Sequence, residues 1–495
     1  MTTAKKNTTF ALSIFVIGVF MSALDNGIIS SALSTINYSF HVSEVAGSWG
    51  ITLYTLGMAI STPIIGKLAD NYGRKKLFLI EIALFAFGSL LVALSPNFTF
   101  FLVARLVQSF GGGGIFIIAS SHILSTYPKK QQGKLLGILG SVNGIASIVG
   151  PNLGSLILNL TGKWHMLFMI NLPIAIFVLI SGIISIPETT NANDKKVDLK
   201  GLSYLTLAIL SFMLAVTNVQ SGSLLASLTS ISFILPLILS IIFIALLLNA
   251  EKNVKDHVDP FLPYNLLNNQ RFVLTLLMGA LSGMLIAIFV FIPSFVEQAY
   301  GISANNSGIY MSGIGLGSIF GAGIGGALVT KMGAPKSIVI SGALSTLGFG
   351  LIALASPNPL TFILSSTVAG LGFGMLMGAP LSVLMSMIAG PKDSGVALGT
   401  LSVSRQIGLT IAPTIYAALV QQQMFNSSLA KDYPARSIEQ LYIKLQNIDN
   451  SSLRQHVLEI FHQSAKGAYQ HLFFAAVIFS AIILICGAYL KKKAH

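Results

Sequence analysis

Two long stretches of this chain contain no charged residue, one between Lys200 and Glu251 and one between Lys336 and Lys392. A helix that crosses a bilayer needs about 20 consecutive apolar residues, so each stretch holds two such helices and the turn between them. Only 9% of all residues are charged and the mean hydropathy is +0.79, whereas a soluble chain carries roughly a quarter charged residues. The sequence therefore predicts an all-α integral membrane protein.

The apolar pattern predicts fourteen membrane-spanning helices. They are expected near residues 10–35, 46–66, 76–95, 98–125, 133–158, 165–187, 201–219, 229–250, 272–297, 304–330, 337–355, 360–389, 394–421 and 468–490. Helices are favoured because lipid offers no hydrogen-bonding partner to an open backbone. Segment 422–467 is a long polar interruption, and its helix-like spacing of apolar residues predicts an extracellular, partly helical hairpin.

The basic residues predict how the chain is oriented. An even number of spans places both termini on one side, and the loops on that side hold most of the Lys and Arg residues, including Arg74–Lys76 and Lys491–Lys493. Cytoplasmic loops carry such an excess, so both termini are expected in the cytoplasm, with the protein in a bacterial inner membrane. The net charge of +13 is then a topology signal, and no nucleic acid partner is expected.

An internal repeat at an offset of about 260 residues predicts the arrangement of the spans. Three patterns recur along the chain: Gly66-x-Leu68-x4-Gly73-x2-Lys76 as Gly326-x-Leu328-x4-Gly333-x2-Lys336, Gly112 and Gly114 as Gly372 and Gly374, and Gly133-x3-Gly137…Pro151 as Gly395-x3-Gly399…Pro413. Two parallel halves of this kind are the architecture of transporters in which a central site alternates its access between the two sides.

The repeat divides the chain into four units. Residues 1–190 form the first six-helix half, residues 191–260 hold two inserted helices, and residues 261–421 and 468–495 form the second six-helix half. Residues 422–467 form the outer hairpin. This division places an extra helix pair between the halves and gives fourteen spans in total.

The repeated loop resembles the signature loop between helices two and three of the major facilitator superfamily. It reads Gly66-Lys-Leu-Ala-Asp70-Asn-Tyr-Gly73-Arg74-Lys75-Lys76. Gly66 and Gly73 permit close helix approach and a tight turn, while Asp70 can cap a helix and pair with Arg74 or another cation, which would latch the two halves in one state. Topology charges alone would explain the lysines, but not Asp70 or the glycines.

Two further motifs are similar to those of the same superfamily. Arg105-x2-Gln108-x2-Gly111-Gly112 resembles its fourth-helix motif, which implies a buried arginine that takes part in proton coupling. The fifth predicted span resembles the antiporter motif of exporters through Gly140, Asn143, Gly144, Gly150, Pro151 and Gly154. Dense glycines let helices cross closely, and a proline bends its helix. Two positions depart from the antiporter pattern, since Ala146 stands where glycine is common and Ser155 replaces the last glycine.

The chain also resembles the fourteen-span drug:proton antiporters, through Leu24-Asp25-Asn-Gly-Ile-Ile-Ser-Ser-Ala32 in span one, Asn171-Leu172-Pro173 in span six and Ser404-Arg405-Gln406 in span thirteen. The resemblance covers the whole chain except 422–466. It implies proton-driven efflux of an amphipathic small molecule by a monomer in the bilayer, as in multidrug efflux and antibiotic resistance. It also implies no cofactor besides the proton gradient.

Charged residues at bilayer depth are costly and mark candidate sites. Asp25 and Arg105 both fall in the outer halves of their spans, so they can meet, and Asp25 can then exchange a proton for an ion pair or a cationic ligand. A static pair that only fixes helix packing is the alternative. The repeat places Ser365 at the position equivalent to Arg105, and this asymmetry favours a functional pair.

Arg405 and Glu81 are the remaining candidates for proton coupling or substrate binding. Arg405 lies near the membrane midplane and is expected either to bind an anionic substrate group or carboxylate, or to bond backbone carbonyls. Glu81 lies about 9 Å from the inner surface at 1.5 Å per residue, where it is expected to reach the surface or pair with the basic loop. Lipophilic cations would suit Asp25, whereas fatty acids or other amphipathic anions would suit Arg405.

Other function classes are disfavoured by what the sequence lacks. It contains no HExxH, GxSxG or GxxxxGK[ST] motif, so neither an enzyme nor an ATP-driven pump is predicted. Its single cysteine, Cys486, supports neither an internal disulfide nor a thiolate metal site, and His456 and His462 are a weak metal signal. A metabolite importer and a non-transporting sensor remain alternatives to an exporter.

Overall fold

The computed structural model of the protein describes residues 2–42, 44–189, 196–219, 224–254, 258–302, 308–426, 429, 432, 433, 435 and 438–492. Within these residues, thirteen helical stretches are long and apolar enough to cross a membrane. The 32-residue helix Ser394–Phe425 is less apolar and provides the fourteenth long helix. The predicted all-α membrane fold is confirmed.

The first half contains helices α1 to α8. Their bounds are Thr2–Ser39, Glu44–Tyr72, Arg74–Ala93, Phe98–Gly112, Ile115–Thr126, Lys129–Thr161, Met166–Met169 and Asn171–Ser185. They make six spans because two spans are broken, between α4 and α5 at Gly113 and Gly114 and between α7 and α8 at Ile170. The break at Gly113 and Gly114 is typical of a glycine pair, a common site of helix kinks.

The inserted segment holds α9 (Leu199–Thr217), α10 (Leu224–Leu228) and α11 (Ile231–Lys252), flanked by two short strands. Strand β1 is Lys196–Val197 and strand β2 is Val258–Asp259, and they pair in parallel. Helix α11 is largely exposed, as expected for an outer helix that faces lipid, while α9 packs between α11 and the rest of the bundle.

The second half contains helices α12 to α21. Their bounds are Tyr264–Leu267, Gln270–Ala287, Ile292–Tyr300, Met311–Met332, Ala334–Ala355, Pro359–Gly378, Pro380–Ala389, Ser394–Phe425, Ile438–Gln446 and Ser451–Lys492, with 3₁₀ turns at Ile288–Phe291 and Gly308–Tyr310. The boundaries of the four units given above stay predictions.

The two halves meet along two helix pairs that the repeat relates to each other. Helix α2 packs on α19, where a Cβ on Gly66 would collide with the backbone of Gly395. Helix α6 packs on α15, where a Cβ on Gly326 would collide with the backbone of Gly133. Gly66 and Gly326 are repeat partners, as are Gly395 and Gly133, so the seam between the halves has the approximate two-fold symmetry of the repeat.

The described residues of segment 422–467, predicted as an extracellular, partly helical hairpin, are largely helical. Helix α19 continues to Phe425, α20 lies within the segment, and the last helix begins at Ser451 instead of near residue 468. Val457 and Phe461 are buried on this extension of α21, as are Leu441 and Leu445 on α20, so apolar packing stabilises helix outside the bilayer. At 1.5 Å per residue the 42 residues of α21 extend about 63 Å, about twice the hydrocarbon thickness.

Candidate functional site

A buried ion pair joins the first and fourth spans. Asp25 of α1 and Arg105 of α4 lie 2.7 Å apart, measured from Oδ2 to Nη1, and their side chains are 1% and 0% exposed. The structure therefore brings together the two candidate charges of the first half. A buried pair of this kind is costly to break by removing one partner, because the other charge is left without compensation.

Three polar side chains complete the surroundings of Asp25. Gln108 Nε2 donates to Asp25 Oδ1 at 2.8 Å, and Asn171 Nδ2 reaches the same oxygen at 3.3 Å. Gln108 Oε1 also accepts from Arg105 Nη1 at 2.6 Å, so this amide bridges the ion pair. Ser89 Oγ accepts from both amides, at 2.9 and 3.2 Å, and fixes their orientation.

Aromatic rings enclose Arg105. Its guanidinium carbon lies 4.0 Å from the ring centroid of Tyr54 and 5.6 Å from that of Phe168. Its Nε donates to the carbonyl of Gly50 at 3.4 Å, while its Nη2 is buried without a hydrogen-bonding partner in the described part of the chain. Cation–π contacts stabilise a desolvated guanidinium, so these rings offset part of the cost of burying Arg105.

A second polar cluster lies at the end of the bundle that carries Asp70, which we call the Asp70 end. Arg74 Nη2 donates to Asp70 Oδ1 at 2.7 Å, one helical turn apart in sequence. Asp70 Oδ2 accepts from the backbone N–H of Gly395 at 2.7 Å, at the first turn of α19. The carboxylate thus caps a helix of the other half and compensates the positive end of its dipole.

Serines extend this contact across the seam. Arg74 Nε donates to Ser121 Oγ at 2.8 Å, and Ser121 Oγ lies 3.3 Å from Ser394 Oγ on α19. The repeat partner of Asp70 is Thr330, which has no charge, so the carboxylate contact has no repeat-related counterpart at that position. The Asp70 end is closed in this structure.

Gly73 makes the turn that directs Arg74 inward. Its φ is +103°, a conformation that favours glycine, and a Cβ there would lie 2.5 Å from the Glu188 carboxylate. Glu188 accepts from the backbone N–H groups of Lys75 and Lys76, both at 3.1 Å. Sequence reasoning missed Glu188 as the cap of α3, since nothing in the loop itself points to residue 188.

The predicted antiporter motif occupies α6, which changes partner along its length. A Cβ on Gly140 would lie 2.7 Å from Gly378 Cα, and one on Gly144 would lie 3.0 Å from Ile319, both in the second half. Farther along α6, a Cβ on Gly150 would lie 2.7 Å from Gly27 Cα on α1. The remaining motif residues Asn143, Pro151 and Gly154 lie on the same helix. The motif therefore provides close packing on both sides of α6.

Arg405 lies apart from the Asp25 pair, on α19 in the second half. Its side chain is half-buried, and its Nε donates to Ser282 Oγ of α13 at 3.4 Å. No carboxylate of the described residues lies within salt-bridge distance of its guanidinium. Arg405 is therefore a membrane-embedded cation whose charge is not compensated by a described protein anion.

Glu81 does not reach the surface or the basic loop as expected. Its side chain is 1% exposed, and Oε2 accepts from the backbone N–H of Gly114 at 2.9 Å. The helix break between α4 and α5 frees this N–H from its normal partner, so Glu81 serves as the cap of α5. The structure does not bring it into the Asp25 cluster.

No group of three or more His, Cys, Asp or Glu side chains that could hold a metal occurs in the described ranges. His462 Nδ1 lies 2.6 Å from the carbonyl oxygen of Gln298, so this ring is engaged in packing α21 against α14.

The sequence profile of the major facilitator superfamily matches residues 15–413. The chain belongs to the major facilitator superfamily. An uncharacterised transporter of this superfamily from Bacillus subtilis, YfiU, is 47% identical over 97% of this chain and 96% of its own length. Multidrug resistance protein 3 of the same organism is 30% identical over 86% of this chain and 82% of its own length.

A solved structure supports the fold. The human organic anion transporter MFSD10 matches with a TM-score of 0.61 at 14% identity, covering 95% of this chain and 99% of the other. The superfamily consists of membrane transporters, so this chain is a multi-pass membrane transporter rather than an enzyme.

Proposed function

We propose that this protein is a proton-coupled antiporter that exports amphipathic, lipophilic small molecules by alternating access. The observation that carries this proposal is the buried Asp25–Arg105 pair, which places a protonatable carboxylate against a permanent cation at membrane depth. An ion pair in such a site is sensitive to protonation, because a proton on Asp25 removes the charge that compensates Arg105.

Protonation of Asp25 would rearrange its surroundings. A neutral carboxyl group attracts the guanidinium weakly, and Gln108, which now bridges the two groups, would follow one of them. Arg105 would be left in a low-dielectric site without a compensating charge, with aromatic faces, one carbonyl and at most the Gln108 amide as partners. The proton-bound and proton-free states of the site thus favour different positions of α1 relative to α4.

Alternating access then requires the Asp70 end to open. Asp70 bonds the first turn of α19, and the glycine contacts at Gly66 and Gly133 close both helix pairs of the seam. Opening must break these contacts together, because packed helices move as rigid bodies. The excess of Lys and Arg residues in the loops at the Asp70 end supports a cytoplasmic position for this end, so the closed seam would correspond to an outward-facing state.

The relatives support export of drug-like compounds. Multidrug resistance protein 3, at 30% identity over most of both chains, is named for resistance to multiple drugs. The antiporter motif on α6 and the Asp25 motif on α1 point to the same class of transporter. We therefore place the protein in a cell membrane of a bacterium, acting as a monomer without a cofactor besides the proton gradient.

A second candidate function is export of amphipathic anions such as fatty acids. The observation that favours it is Arg405, which has Ser282 as its hydrogen-bonding partner and no described carboxylate nearby. Asp25, by contrast, already receives three hydrogen bonds, so a cationic substrate would have to displace Arg105. An anionic group would meet a free guanidinium without displacing any charge.

The test uses purified protein in liposomes with an acidic interior. Uptake of the fluorescent lipophilic cation ethidium is expected to require the gradient, to be lost in Asp25→Asn, and to persist in Glu459→Gln, which neutralises an exposed carboxylate on α21. Gradient-driven uptake that survives Asp25→Asn would overturn the coupling site. If no cation is moved, uptake of a labelled fatty acid that Arg405→Ala abolishes would establish the second candidate.

A further inference from the structure

The inserted helix pair is tied back to the Asp70 end by the two short strands that flank it. Strand β1 precedes α9, strand β2 follows α11, and the strands pair with Lys196 opposite Val258 and Val197 opposite Asp259. The backbone N–H of Asp198 also donates to the carbonyl of Asp259 at 3.3 Å. The entry and exit of the inserted segment are therefore fixed at one place, with Asp259 at its edge.

Asp259 contacts lysines of both halves. Its Oδ2 lies 2.7 Å from Nζ of Lys67, which belongs to α2, and its Oδ1 lies 3.0 Å from Nζ of Lys392, which precedes α19. Asp259 and Lys67 are almost fully buried, whereas the Lys392 side chain is 58% exposed. One carboxylate of the inserted segment thus bridges the first and second halves. We call Lys67, Asp259 and Lys392 the clasp.

The two lysine contacts keep the Asp259 carboxyl group charged. Burial alone would raise the pKa of Asp259, but the contacts from Lys67 and Lys392 outweigh burial and hold that pKa below its ordinary value. Asp393 lies 3.7 Å from Lys67 Nζ, and burial raises its pKa above the usual range. Glu251, the other nearby acid, accepts from the backbone N–H of Leu262 at 2.9 Å.

Apolar packing places the inserted pair across the same seam. Ile209 and Met213 of α9 form a buried cluster with Leu56 and Ala59 of α2 and with Val403 of α19. Helix α9 therefore touches both helices of one seam pair deep in the bundle, while the clasp bridges the same two helices at the Asp70 end. Two independent contacts, one apolar and one ionic, hold the inserted segment across the line along which the halves must separate.

We propose that the inserted helix pair is a strap that stabilises closure of the Asp70 end, and that Lys67, Asp259 and Lys392 are its positioning residues. The proposal rests on alternating access, but not on proton coupling or on the substrate. Opening separates α2 from α19, so Asp259 can keep one lysine only. It stays with Lys67, because that pair is buried, and it leaves Lys392, whose contact is weakened by water.

The strap is tested by labelling a cysteine at the seam. Ser394, the first residue of α19, is 2% exposed, and its Oγ lies 3.3 Å from Ser121 Oγ across the seam, so Ser394→Cys in a Cys486→Ala background is shielded while the seam is closed. Asp259→Asn is expected to raise the rate of maleimide labelling several-fold, and Lys392→Met to raise it less. Lys331→Met removes an exposed lysine at the same end and is expected to leave the rate unchanged.

A double-mutant cycle identifies the pair. If Lys67 and Asp259 act together, Lys67→Met with Asp259→Asn raises the labelling rate no more than either change alone. Size-exclusion chromatography shows which variants fold, and Lys392→Met, at a half-exposed side chain, decides the question if Asp259→Asn does not fold. Labelling rates equal to the parent in the folded clasp variants would overturn the proposal. The labelling rate is measured without transport, so it tests the strap even if the proposal of proton coupling fails.

Discussion

The Asp25–Arg105 pair shows how one buried charge depends on its partner. Removing Arg105 leaves the Asp25 carboxylate without compensation at membrane depth, at a cost of about 3–5 kcal/mol. Replacing both charges removes the pair without leaving either charge alone, and such changes are often close to neutral. Stability and transport should therefore respond differently to single and double substitutions.

We expect Arg105→Met to lower the thermal stability of the purified protein in detergent markedly, and Asp25→Asn with Arg105→Met to restore much of it. Transport driven by a pH gradient should be absent from both variants, because neither has the titratable pair. Thermal unfolding followed by tryptophan fluorescence, alongside liposome transport, measures the two properties. A double variant that is stable and still couples transport to the gradient would show that the pair only fixes packing.

At the scale of elements, the seam depends on glycines that let backbones touch. Gly133 of α6 and Gly326 of α15 have no room for a side chain against each other, whereas a Cβ on Gly323 of α15 would meet nothing within 4 Å. A side chain added at Gly133 or Gly326 should therefore disturb the packing of α6 on α15, whereas one added at Gly323 should not.

Gly326→Val is expected to hold the Asp70 end open, because the added carbons collide with the backbone of Gly133. Gly323→Ala is the matched control and should behave as the parent protein. The distance between spin labels at Lys129→Cys and Lys331→Cys, at the Asp70 ends of the same two helices, reports opening. An unchanged distance distribution in Gly326→Val would contradict the close packing described for this seam.

The clasp predicts a particular response to pH. A carboxyl group whose pKa is lowered by folding stabilises the folded arrangement fully above its ordinary pKa of about 4, and loses this effect only as the pH falls through the lowered value. Asp259 should therefore stay charged, and the clasp intact, between about pH 5 and pH 8.

In Asp25→Asn, the change in spin-label distance that Asp259→Asn causes at the Asp70 end is accordingly expected to be the same at pH 8 and pH 5. Asp393→Asn in the same background removes the nearby acid whose pKa is raised and serves as the control for its titration. If the effect of Asp259→Asn disappears at pH 5 both with and without Asp393→Asn, Asp259 loses its charge in this window and the charge assigned to the clasp is wrong.

At the scale of the whole molecule, the repeat made much of the fold predictable from sequence. The patterns at Gly66 and Gly326 indicated two parallel halves, and the structure places these glycines at equivalent points of the seam. The depths of Asp25 and Arg105 in their spans already indicated that the two could meet. These features follow from the repeated motifs and from the cost of charge in lipid. Both can be recognised in the sequence without knowledge of tertiary contacts.

Other features depend on contacts that no local pattern encodes. Ser89 is an ordinary small residue in an apolar helix until Gln108 and Asn171 bond it. Asp259 lies in an unrepeated segment, so nothing in the sequence connected it to Lys67 almost two hundred residues earlier. Hydropathy does not reveal the helix break at Gly113 and Gly114, whose free N–H group bonds Glu81. Without that buried partner, the surface was the expected place for the Glu81 carboxylate.

The central claim is that a proton crosses the membrane by way of Asp25 in one direction while the substrate crosses in the opposite direction. Liposomes with an acidic interior and an entrapped pH-sensitive dye measure this directly when ethidium, or a fatty acid if ethidium is not moved, is added outside. The substrate is expected to raise the internal pH for the parent protein and for Glu459→Gln, and to leave it unchanged for Asp25→Asn. A rise in internal pH that Asp25→Asn retains at the parent rate would contradict the account.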